Sequence, residues 1–508
     1  QNQIQTKVKR GKILDRHSNL LAINRDQVSV WADPKRIDFP DKVAEVLSPL
    51  IGLSRKGLIR KLNQKNKRFV WLKRKLDYAI LDEIKRNLSE NEIDGIGFRF
   101  EEKRSYPNDE LACHVIGYTN FDNIGMEGVE RSYNQKISSY EISKSDSQNS
   151  EGDNKAPDYS NSVMLTVDTQ IQHIAESALI EACKKWSARS GSAIVMNPNT
   201  GEVLAMANYP NYNLNKFYES EEFSKRNRAI WEEYEPGSAF KIAVASAVVD
   251  RGLMEPNETE YCEMGEYEIH GRVIHDVHEY GTLSLNEIIA RSSNIGMVKI
   301  ASRLTRPTLS HYIKSFGFGS KTGIDLPYEK EGNIKAVDNT STLSAFIYVP
   351  FGQGISVTPL QMLNALNVVA NGGFLMKPYV VKKTINDDGK IVKENFPQKM
   401  HQVISRETAD IMTQMLICTV EYGTGMDARL EDYRVAGKTG TTQKAGKYGY
   451  SGKYVSSFAG FLPAYAPKVS IIVVVDEPKG EHYGSVVAVP AFRKIAKSTM
   501  EYLNIQSL

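Results

Sequence analysis

A run of apolar residues from Ala239 to Val249 constrains the fold of this chain more than any other segment. It reads Ala-Phe-Lys-Ile-Ala-Val-Ala-Ser-Ala-Val-Val, it follows Pro236-Gly237, and Gly252 stands just beyond it. The run predicts a helix that is apolar on nearly every side, and such a helix must be buried inside a domain. Glycine past the last apolar residue is a natural helix stop. With 508 residues the chain is long enough for two or three domains.

The start of this helix carries a serine and a lysine one turn apart, Ser238 and Lys241. Positions i and i+3 share a helix face, so the lysine amine can reach the serine hydroxyl. Free N–H groups at a helix start can also stabilise a developing oxyanion. The spacing therefore predicts a nucleophilic serine with a lysine base, and the alternative is a solvated lysine on a first helical turn.

A lysine that acts as a base must be neutral part of the time. Lowering its pKa from ~10.4 to about 7–8 costs roughly 4 kcal/mol. Burial and a second cation nearby both lower a lysine pKa. Lys438 is the candidate for that second cation.

A second motif, Ser292-Ser293-Asn294, lies between two helical stretches. Ser284 and Glu287 are spaced as a capping box for the first of these helices. Serine and asparagine side chains at such a turn can point freely into a cleft. The alternative is an ordinary turn or helix cap, which these residue types favour.

Lys-Thr-Gly occurs twice, and only the second copy has the right surroundings for catalysis. Lys321-Thr322-Gly323 lies in a loop punctuated by glycines, and we interpret it as structural. Lys438-Thr439-Gly440 continues into Thr441 in a β-prone run just before two strand-like segments. A strand there could align an extended peptide, and its cation and hydroxyls could hold a carboxylate.

The three motifs occur along the chain in the order S-x-x-K, S-x-N and K-T-G. This order resembles the signature of penicillin-binding proteins and serine β-lactamases. Ser293 stands where the β-lactamase motif S-D-N has an Asp. Over nearly its whole length the chain resembles class B penicillin-binding proteins, the monofunctional transpeptidases that cross-link peptidoglycan, and its tail is most similar to the division branch. The segments that carry the resemblance are Arg10-Gly-Lys-Ile-Leu-Asp-Arg16, Arg104-Ser-Tyr-Pro107, His114-Val-Ile-Gly117, Gly125-Met-Glu-Gly-Val-Glu130, Tyr234-Glu-Pro-Gly-Ser-Ala-Phe-Lys241, Gly352-Gln-Gly354, Val357-Thr-Pro-Leu-Gln361, Gly423-Thr-Gly425, Ala436-Gly-Lys-Thr-Gly-Thr441, Phe458-Ala-Gly-Phe461 and Val475-Asp-Glu-Pro-Lys-Gly480.

The resemblance implies an acyl-serine reaction without metal or cofactor. The nucleophile attacks the penultimate D-alanine carbonyl of a stem peptide, D-alanine leaves, and an amine of a neighbouring stem resolves the acyl-enzyme. β-Lactams would acylate the same serine. The implied residues are the nucleophile Ser238, the base Lys241, Ser292 and Asn294 for proton transfer, Lys438 for charge, Ser293, Thr439, Gly440 and Thr441 for substrate binding, and the backbone N–H groups of Ser238 and Thr441 as oxyanion hole.

The same resemblance implies the surroundings of the protein. Its partners would be stem peptides, β-lactams, a membrane glycosyltransferase of the SEDS type and divisome proteins. It would work at the outer face of the cytoplasmic membrane, and because the chain starts at Gln1 we expect a membrane anchor upstream. A formal net charge of +3 gives no support for nucleic-acid binding.

The expected architecture is α+β, a penicillin-binding transpeptidase fold with a mainly antiparallel sheet flanked by helices. We place an elongated pedestal domain at residues 1–160 and the transpeptidase domain at 161–508. The polar segment 143–161 is a linker or an ordered loop. The predicted elements are a strand at 28–31, a helix from Thr169 with a Thr169/Gln172 capping box, strands at 192–196, 202–206, 454–461 and 469–475, and a closing helix at 490–503.

Some alternatives remain open at this stage. Cys262, His270, His275, Asp276 and His278 lie close together in the sequence and could bind zinc, although their spacing fits no compact zinc motif. The four cysteines are too sparse for a disulfide framework. A β-lactamase, and a β-lactam sensor or scaffold that kept the fold without turnover, are the competing functions.

Overall fold

The N-terminal part of the chain contains both helices and mainly antiparallel strands. The computed structural model describes residues 8–140, 161–338, 347–446 and 449–506, so most of the polar segment 143–161 lies outside the described residues. Its strands and helices are β1 (Val8–Arg10), β2 (Ile13–Leu14), β3 (Leu20–Ala32), α1 (Pro40–Ile51), α2 (Arg55–Leu62), β4 (Val70–Asp77), α3 (Leu81–Glu90), β5 (Ile96–Ser105), α4 (Cys113–Ile116), α5 (Gly128–Ser132), α6 (Asn134–Ile137) and β6 (Ser138–Tyr140).

The remainder of the chain contains the buried helix predicted from the sequence. Its helices are α7 (Thr169–Lys185), α8 (Glu222–Lys225), α9 (Arg228–Trp231), α10 (Lys241–Asp250), α11 (Leu285–Arg291), α12 (Asn294–Ala301), α13 (Arg306–Ser315), α14 (Lys335–Asp338), α15 (Pro359–Ala370), α16 (Arg406–Glu421), α17 (Gly484–Val487) and α18 (Val489–Tyr502). Its strands are β7 (Ser162–Leu165), β8 (Ser190–Met196), β9 (Val203–Tyr209), β10 (Thr259–Tyr261), β11 (Glu266–Ile269), β12 (Arg272–His275), β13 (Thr282–Ser284), β14 (Phe374–Met376), β15 (Val381–Ile385), β16 (Ile391–Glu394), β17 (Lys399–Gln402), β18 (Ala436–Gly446), β19 (Gly449–Leu462) and β20 (Val469–Asp476).

A five-stranded antiparallel sheet forms the centre of this second part, with strand order β18-β19-β20-β8-β9. Its central strand β20 is apolar at almost every position and buried along its whole length, because helices cover both faces of the sheet. On one face α7 and α18 pack against the strands, and on the other lie α10 and α15. This confirms the predicted α+β fold with a mainly antiparallel sheet.

A second, seven-stranded sheet runs across the predicted domain boundary. It contains β2, β3, β4 and β5 from the N-terminal part and β7, β15 and β16 from the C-terminal part, and β2 pairs with β7 in parallel. A separate apolar core joins β3, β4 and α1 to α3. The division at residue 160 therefore stays a prediction, since strands from both sides share one sheet.

Most predicted elements lie where the sequence placed them, but one predicted cap is wrong. The helix at Thr169 is capped by Asp168, whose carboxylate accepts hydrogen bonds from the N–H groups of Gln170 and Ile171. The Thr169 hydroxyl donates instead to Asp15, and the Gln172 amide donates to the Met206 carbonyl. Tertiary partners thus replace the expected Thr169/Gln172 capping box. None of the described helices is both long and apolar enough to cross a membrane.

Candidate active site

Ser238 and Lys241 lie at the junction of two kinds of helix. Residues Gly237–Phe240 form a 3-10 turn that runs directly into α10 at Lys241. In a 3-10 turn the side chains at i and i+3 share one face, which agrees with the predicted proximity of Lys241 to Ser238, although the structure shows no hydrogen bond between the two. The expected α-helix therefore begins three residues later than Ser238, and the 3-10 turn keeps the two side chains on one face.

The amine of Lys241 is completely buried and has three hydrogen-bond partners. Its Nζ lies 2.6 Å from the Ser292 carbonyl oxygen, 2.8 Å from Asn294 Oδ1 and 3.2 Å from Ser292 Oγ. A neutral amine has two N–H donors and one lone pair. The charged ammonium can donate to all three oxygens, whereas the neutral amine can donate to the two carbonyl oxygens and keep its lone pair free.

Burial and a neighbouring positive charge favour the neutral form of Lys241. Burial, and then the positive charge of Lys438, lower the pKa of the Lys241 amine well below its ordinary value, against an opposing effect of the Asp276 carboxylate. Burial and a second cation are the two causes of a lowered lysine pKa that we expected from the sequence.

Lys438 reaches the same hydroxyl from the opposite side. Its Nζ lies 3.0 Å from Ser292 Oγ, and its side chain is completely buried below the cleft. Burial lowers the pKa of Lys438 to about 7. The Ser292 hydroxyl thus lies within hydrogen-bond distance of two lysine amines, and its two lone pairs can accept from both.

Asp276 is a site residue that the sequence reasoning missed. Its carboxylate accepts from the Ser293 hydroxyl at 2.5 Å, from the Ile295 N–H at 3.2 Å and from the Asn294 N–H. Ser293 in turn caps α12, because its Oγ accepts from the Gly296 N–H at 2.9 Å. One carboxylate thereby fixes the first turn of the helix that carries Asn294.

The neighbouring carbonyl of His275 fixes the Asn294 side chain itself. It accepts from Asn294 Nδ2 at 3.0 Å, which leaves Oδ1 facing Lys241. Ser292 has a positive φ of 63°, unusual for a residue other than glycine. The loop after β12 therefore holds the whole Ser292–Asn294 turn in the conformation that meets Lys241.

We expect Asp276→Ala to weaken both stability and acylation. The substitution leaves N–H groups at the start of α12 without their acceptor, which costs about 1–3 kcal/mol of unfolding free energy. Displacement of Asn294 should slow acylation by roughly 10²-fold. Thermal unfolding and the rate of labelling by a fluorescent penicillin measure the two effects, and a normal labelling rate would show that Asp276 does not position the turn.

Close approach between β18 and the 3-10 turn brings the third motif to the nucleophile. A side chain at Gly440 would place its Cβ 2.4 Å from Ser457 Oγ and 3.0 Å from the Pro236 carbonyl oxygen. Gly237 has a φ of +55°, and a Cβ there would lie 2.2 Å from Thr442 Oγ1. A larger residue at either position would prevent the close approach of β18 to the 3-10 turn, so both positions require glycine.

The three motifs meet in one cleft, with a cavity of about 720 Å³. Thr439 and Thr441 on β18 line it, and the Thr441 hydroxyl accepts from the Gly484 N–H at 2.9 Å. The residues of the predicted site that line this cavity are Ser238, Ser292, Asn294, Thr439 and Thr441. Lys241, Lys438 and Ser293 lie buried behind them.

The other sequence candidates lie outside this arrangement. In the first Lys-Thr-Gly, Thr322 and Gly323 donate backbone hydrogen bonds to Glu329 in a loop. Cys262 is buried. Among the residues that the structure describes, no three His, Cys, Asp or Glu side chains are arranged to hold a metal ion. Asp276, which the sequence grouped with this cluster, serves the Ser292–Asn294 turn instead.

The fold and the cleft are those of the penicillin-binding class of serine enzymes. Residues 191–497 match the family model for the penicillin-binding protein transpeptidase domain, and residues 5–161 match the penicillin-binding protein dimerisation domain. The chain belongs to the penicillin-binding protein transpeptidase family, and within it to the class B members.

Relatives and solved structures agree with this assignment. The chain is 33% identical to stage V sporulation protein D of Bacillus subtilis over 98% of its own length and 79% of the relative. It is 31% identical to peptidoglycan D,D-transpeptidase FtsI of Escherichia coli K12, over 99% and 85% of the two chains. The crystal structure of penicillin-binding protein 3 from Mycobacterium tuberculosis with aztreonam is similar, with a TM-score of 0.77, 26% identity and coverage of 99% and 98%.

Proposed function

We propose that this protein is a peptidoglycan D,D-transpeptidase that cross-links stem peptides through an acyl-enzyme on Ser238, in the synthesis of the division septum. The observation that supports this most directly is the Ser292 hydroxyl held between the buried amines of Lys241 and Lys438. We infer the substrate class from relatives that are named peptidoglycan D,D-transpeptidases.

The reaction begins with proton transfer from Ser238 to Lys241. The freed Oγ attacks the penultimate D-alanine carbonyl, and the N–H groups of Ser238 and Thr441 stabilise the oxyanion. Thr439 and Thr441 hold the terminal carboxylate of the donor, and the buried cation of Lys438 helps to hold it through charge alone. The Ser292 hydroxyl links Lys241 to Lys438, so a proton can reach the departing D-alanine nitrogen. β-Lactams acylate Ser238 by the same steps.

A trapping experiment tests this function against its rivals. The protein is incubated with a fluorescent penicillin, and the bound label is followed by mass over hours. A stable adduct on Ser238 is expected for a transpeptidase, whereas rapid loss of the label would indicate a β-lactamase. Cross-linking of donor and acceptor stem peptides then distinguishes a transpeptidase from a sensor or scaffold, which would give an adduct without cross-linked product.

The rate of acylation should depend on pH with a bell shape. The rate rises with pH as Lys241 loses its proton, because only the neutral amine accepts the Ser238 proton. It falls above about pH 7, because burial lowers the pKa of Lys438 to about 7 and the cation that holds the carboxylate is lost above it. The second-order acylation constant between about pH 5 and about pH 9 measures both limbs.

Lysine-to-alanine variants at the two Lys-Thr-Gly copies provide a matched comparison for this profile. Lys438→Ala should slow acylation by roughly 10²-fold or more and remove the falling limb. Lys321→Ala in the loop copy should leave both unchanged. Equal effects of the two substitutions would mean that the second copy has no special role.

We also propose the cellular setting that the family implies. The protein is anchored to the cytoplasmic membrane and works at its outer face. A membrane glycosyltransferase of the SEDS type supplies the glycan strands, and divisome proteins bind the N-terminal region. Fractionation of cells and co-purification with the tagged protein test these two statements.

A further inference from the structure

The cleft has a second arm that the acylation chemistry does not use. A cavity of about 530 Å³ lies beside the main one, and the two share Asn294, Phe351 and Gln353 in their walls. Val273 and His275 of β12 line the second arm. The two cavities, here called the main arm and the second arm, are therefore adjacent, and the wall of both includes Asn294, which accepts a hydrogen bond from Lys241.

We propose that this second arm receives the acceptor stem peptide and guides its amine to the acyl-enzyme. The inference rests on the proposed transpeptidase function and deepens it. A donor whose carboxylate lies at Thr439 and Thr441 fills the main arm, since both threonines line that arm alone. An acceptor then needs a separate path, and the second arm provides one that reaches Asn294, the hydrogen-bond partner of Lys241.

The chemical step at the junction of the arms balances without a co-reactant. The acceptor's ammonium group first releases one proton to solvent. The neutral nitrogen then bonds to the ester carbon of the acyl-enzyme, and the bond from that carbon to Ser238 Oγ breaks. The proton lost by the amine passes through Lys241 to Ser238 Oγ, which restores the free hydroxyl. Water can take the place of the amine in the same step and gives the hydrolysed donor.

The charge in the second arm suits a cationic acceptor. Glu235 is the one carboxylate among the described residues that line it, and no lysine or arginine is among them. Glu235 Oε1 accepts from the Gly354 N–H at 3.0 Å, while Oε2 is buried without a hydrogen-bond partner among the described residues. This half-buried carboxylate gives the arm a negative potential, which attracts an ammonium group and would repel an anion.

Glu235 lies near the nucleophile in the sequence. It lies three residues before the nucleophile, on the segment that leads into the 3-10 turn. Its hydrogen bond to Gly354 joins that segment to the stretch carrying Phe351 and Gln353, which form the wall between the two arms. A negative charge at this place can select an amine without touching the acylation machinery.

The test measures how the acyl-enzyme divides between amine and water. The full chain is given a thioester donor that ends in a D-alanine analogue, with a stem peptide bearing a free side-chain amine as acceptor. The measured quantity is the ratio of amide product to hydrolysed donor. The two test variants are Glu235→Gln, which removes the charge at constant shape, and Val273→Arg, which adds a cation at an exposed wall position.

Both variants are expected to lower the amide-to-acid ratio by about tenfold, with little change in the rate of labelling by fluorescent penicillin. The control variant is Glu233→Gln, because this exposed carboxylate stands two residues before Glu235 and does not line the arm. It should keep the ratio of the parent protein. The exposed Val273 site keeps the test decisive if Glu235→Gln fails to fold.

Two results would overturn the proposal. An unchanged ratio in Val273→Arg would show that the acceptor does not pass through this arm. A parallel fall of labelling and amide formation would show that the arm residues only support the nucleophile. A parent protein that is not acylated at all would instead refute the proposed function, and the labelling assay detects that separately.

Discussion

Replacing Ser238 by alanine is expected to abolish covalent labelling by penicillin and all cross-linking, while the protein stays folded. The serine hydroxyl is the proposed nucleophile, and no neighbouring hydroxyl occupies the same place on the 3-10 turn. Only one small polar group is lost, so thermal unfolding should change little. Mass spectrometry of the protein after incubation with penicillin measures the adduct directly.

A serine on the same helical segment provides the control. Ser246 is buried in α10, and its Oγ has no hydrogen-bond partner among the described residues. Ser246→Ala should therefore keep normal labelling, and removal of an unsatisfied hydroxyl should leave stability equal or higher. Persistent labelling of Ser238→Ala would mean that another residue is the nucleophile.

Removing the amine of Lys241 is expected to slow acylation by about 10²–10⁴-fold, the usual contribution of a general base. Lys241→Met fills most of the same volume without the amine, so it separates the loss of the base from the creation of a cavity. Lys241→Ala additionally leaves a cavity and should unfold at a lower temperature. The rate of labelling and the unfolding temperature of each variant measure these effects.

The methionine variant is the decisive one for Lys241. We expect it to acylate slowly even at high pH, because no neutral amine can form. A near-normal rate in Lys241→Met would exclude Lys241 as the base. A slow rate that recovers at high pH would mean that hydroxide or another group removes the Ser238 proton.

The sequence identified the motifs because each is a local pattern on one chain segment. Ser238 and Lys241 are three positions apart, and the apolar run after them could only be a buried helix. The strand context separated Lys438 from Lys321, and the structure places the first in β18 and the second in a loop. Local patterns were thus sufficient to pick out the motifs, while the resemblance to a known family supplied the fold and the roles of the residues.

The sequence failed where a contact depends on segments far apart in the chain. Asp276 caps α12 from a hairpin seventeen positions before its Ser293 partner, and no sequence rule predicts that pairing. Its cysteine and histidine neighbours suggested a metal site instead. The cap of α7 was assigned to Thr169 although Asp168, an equally good capping residue, stands one position earlier.

Two further features of the site could not be predicted from the spacing of residues in the sequence. An i,i+3 pair is compatible with both an α-helix and a 3-10 turn, so the turn at Gly237–Phe240 was not predicted. The second arm is built from four separate stretches around Glu235, Val273, Asn294 and Gln353. Such a cavity exists only once the whole domain has folded.

A crystal structure of the penicillin adduct tests most directly whether a neutral lysine activates Ser238. We expect the ester bond on Ser238 Oγ, the ester carbonyl oxygen within about 3 Å of the N–H groups of Ser238 and Thr441, and Lys241 Nζ within hydrogen-bond distance of the same Oγ. An adduct on another residue, or a Lys241 amine pointing away from Ser238 with no path to it, would contradict the mechanism.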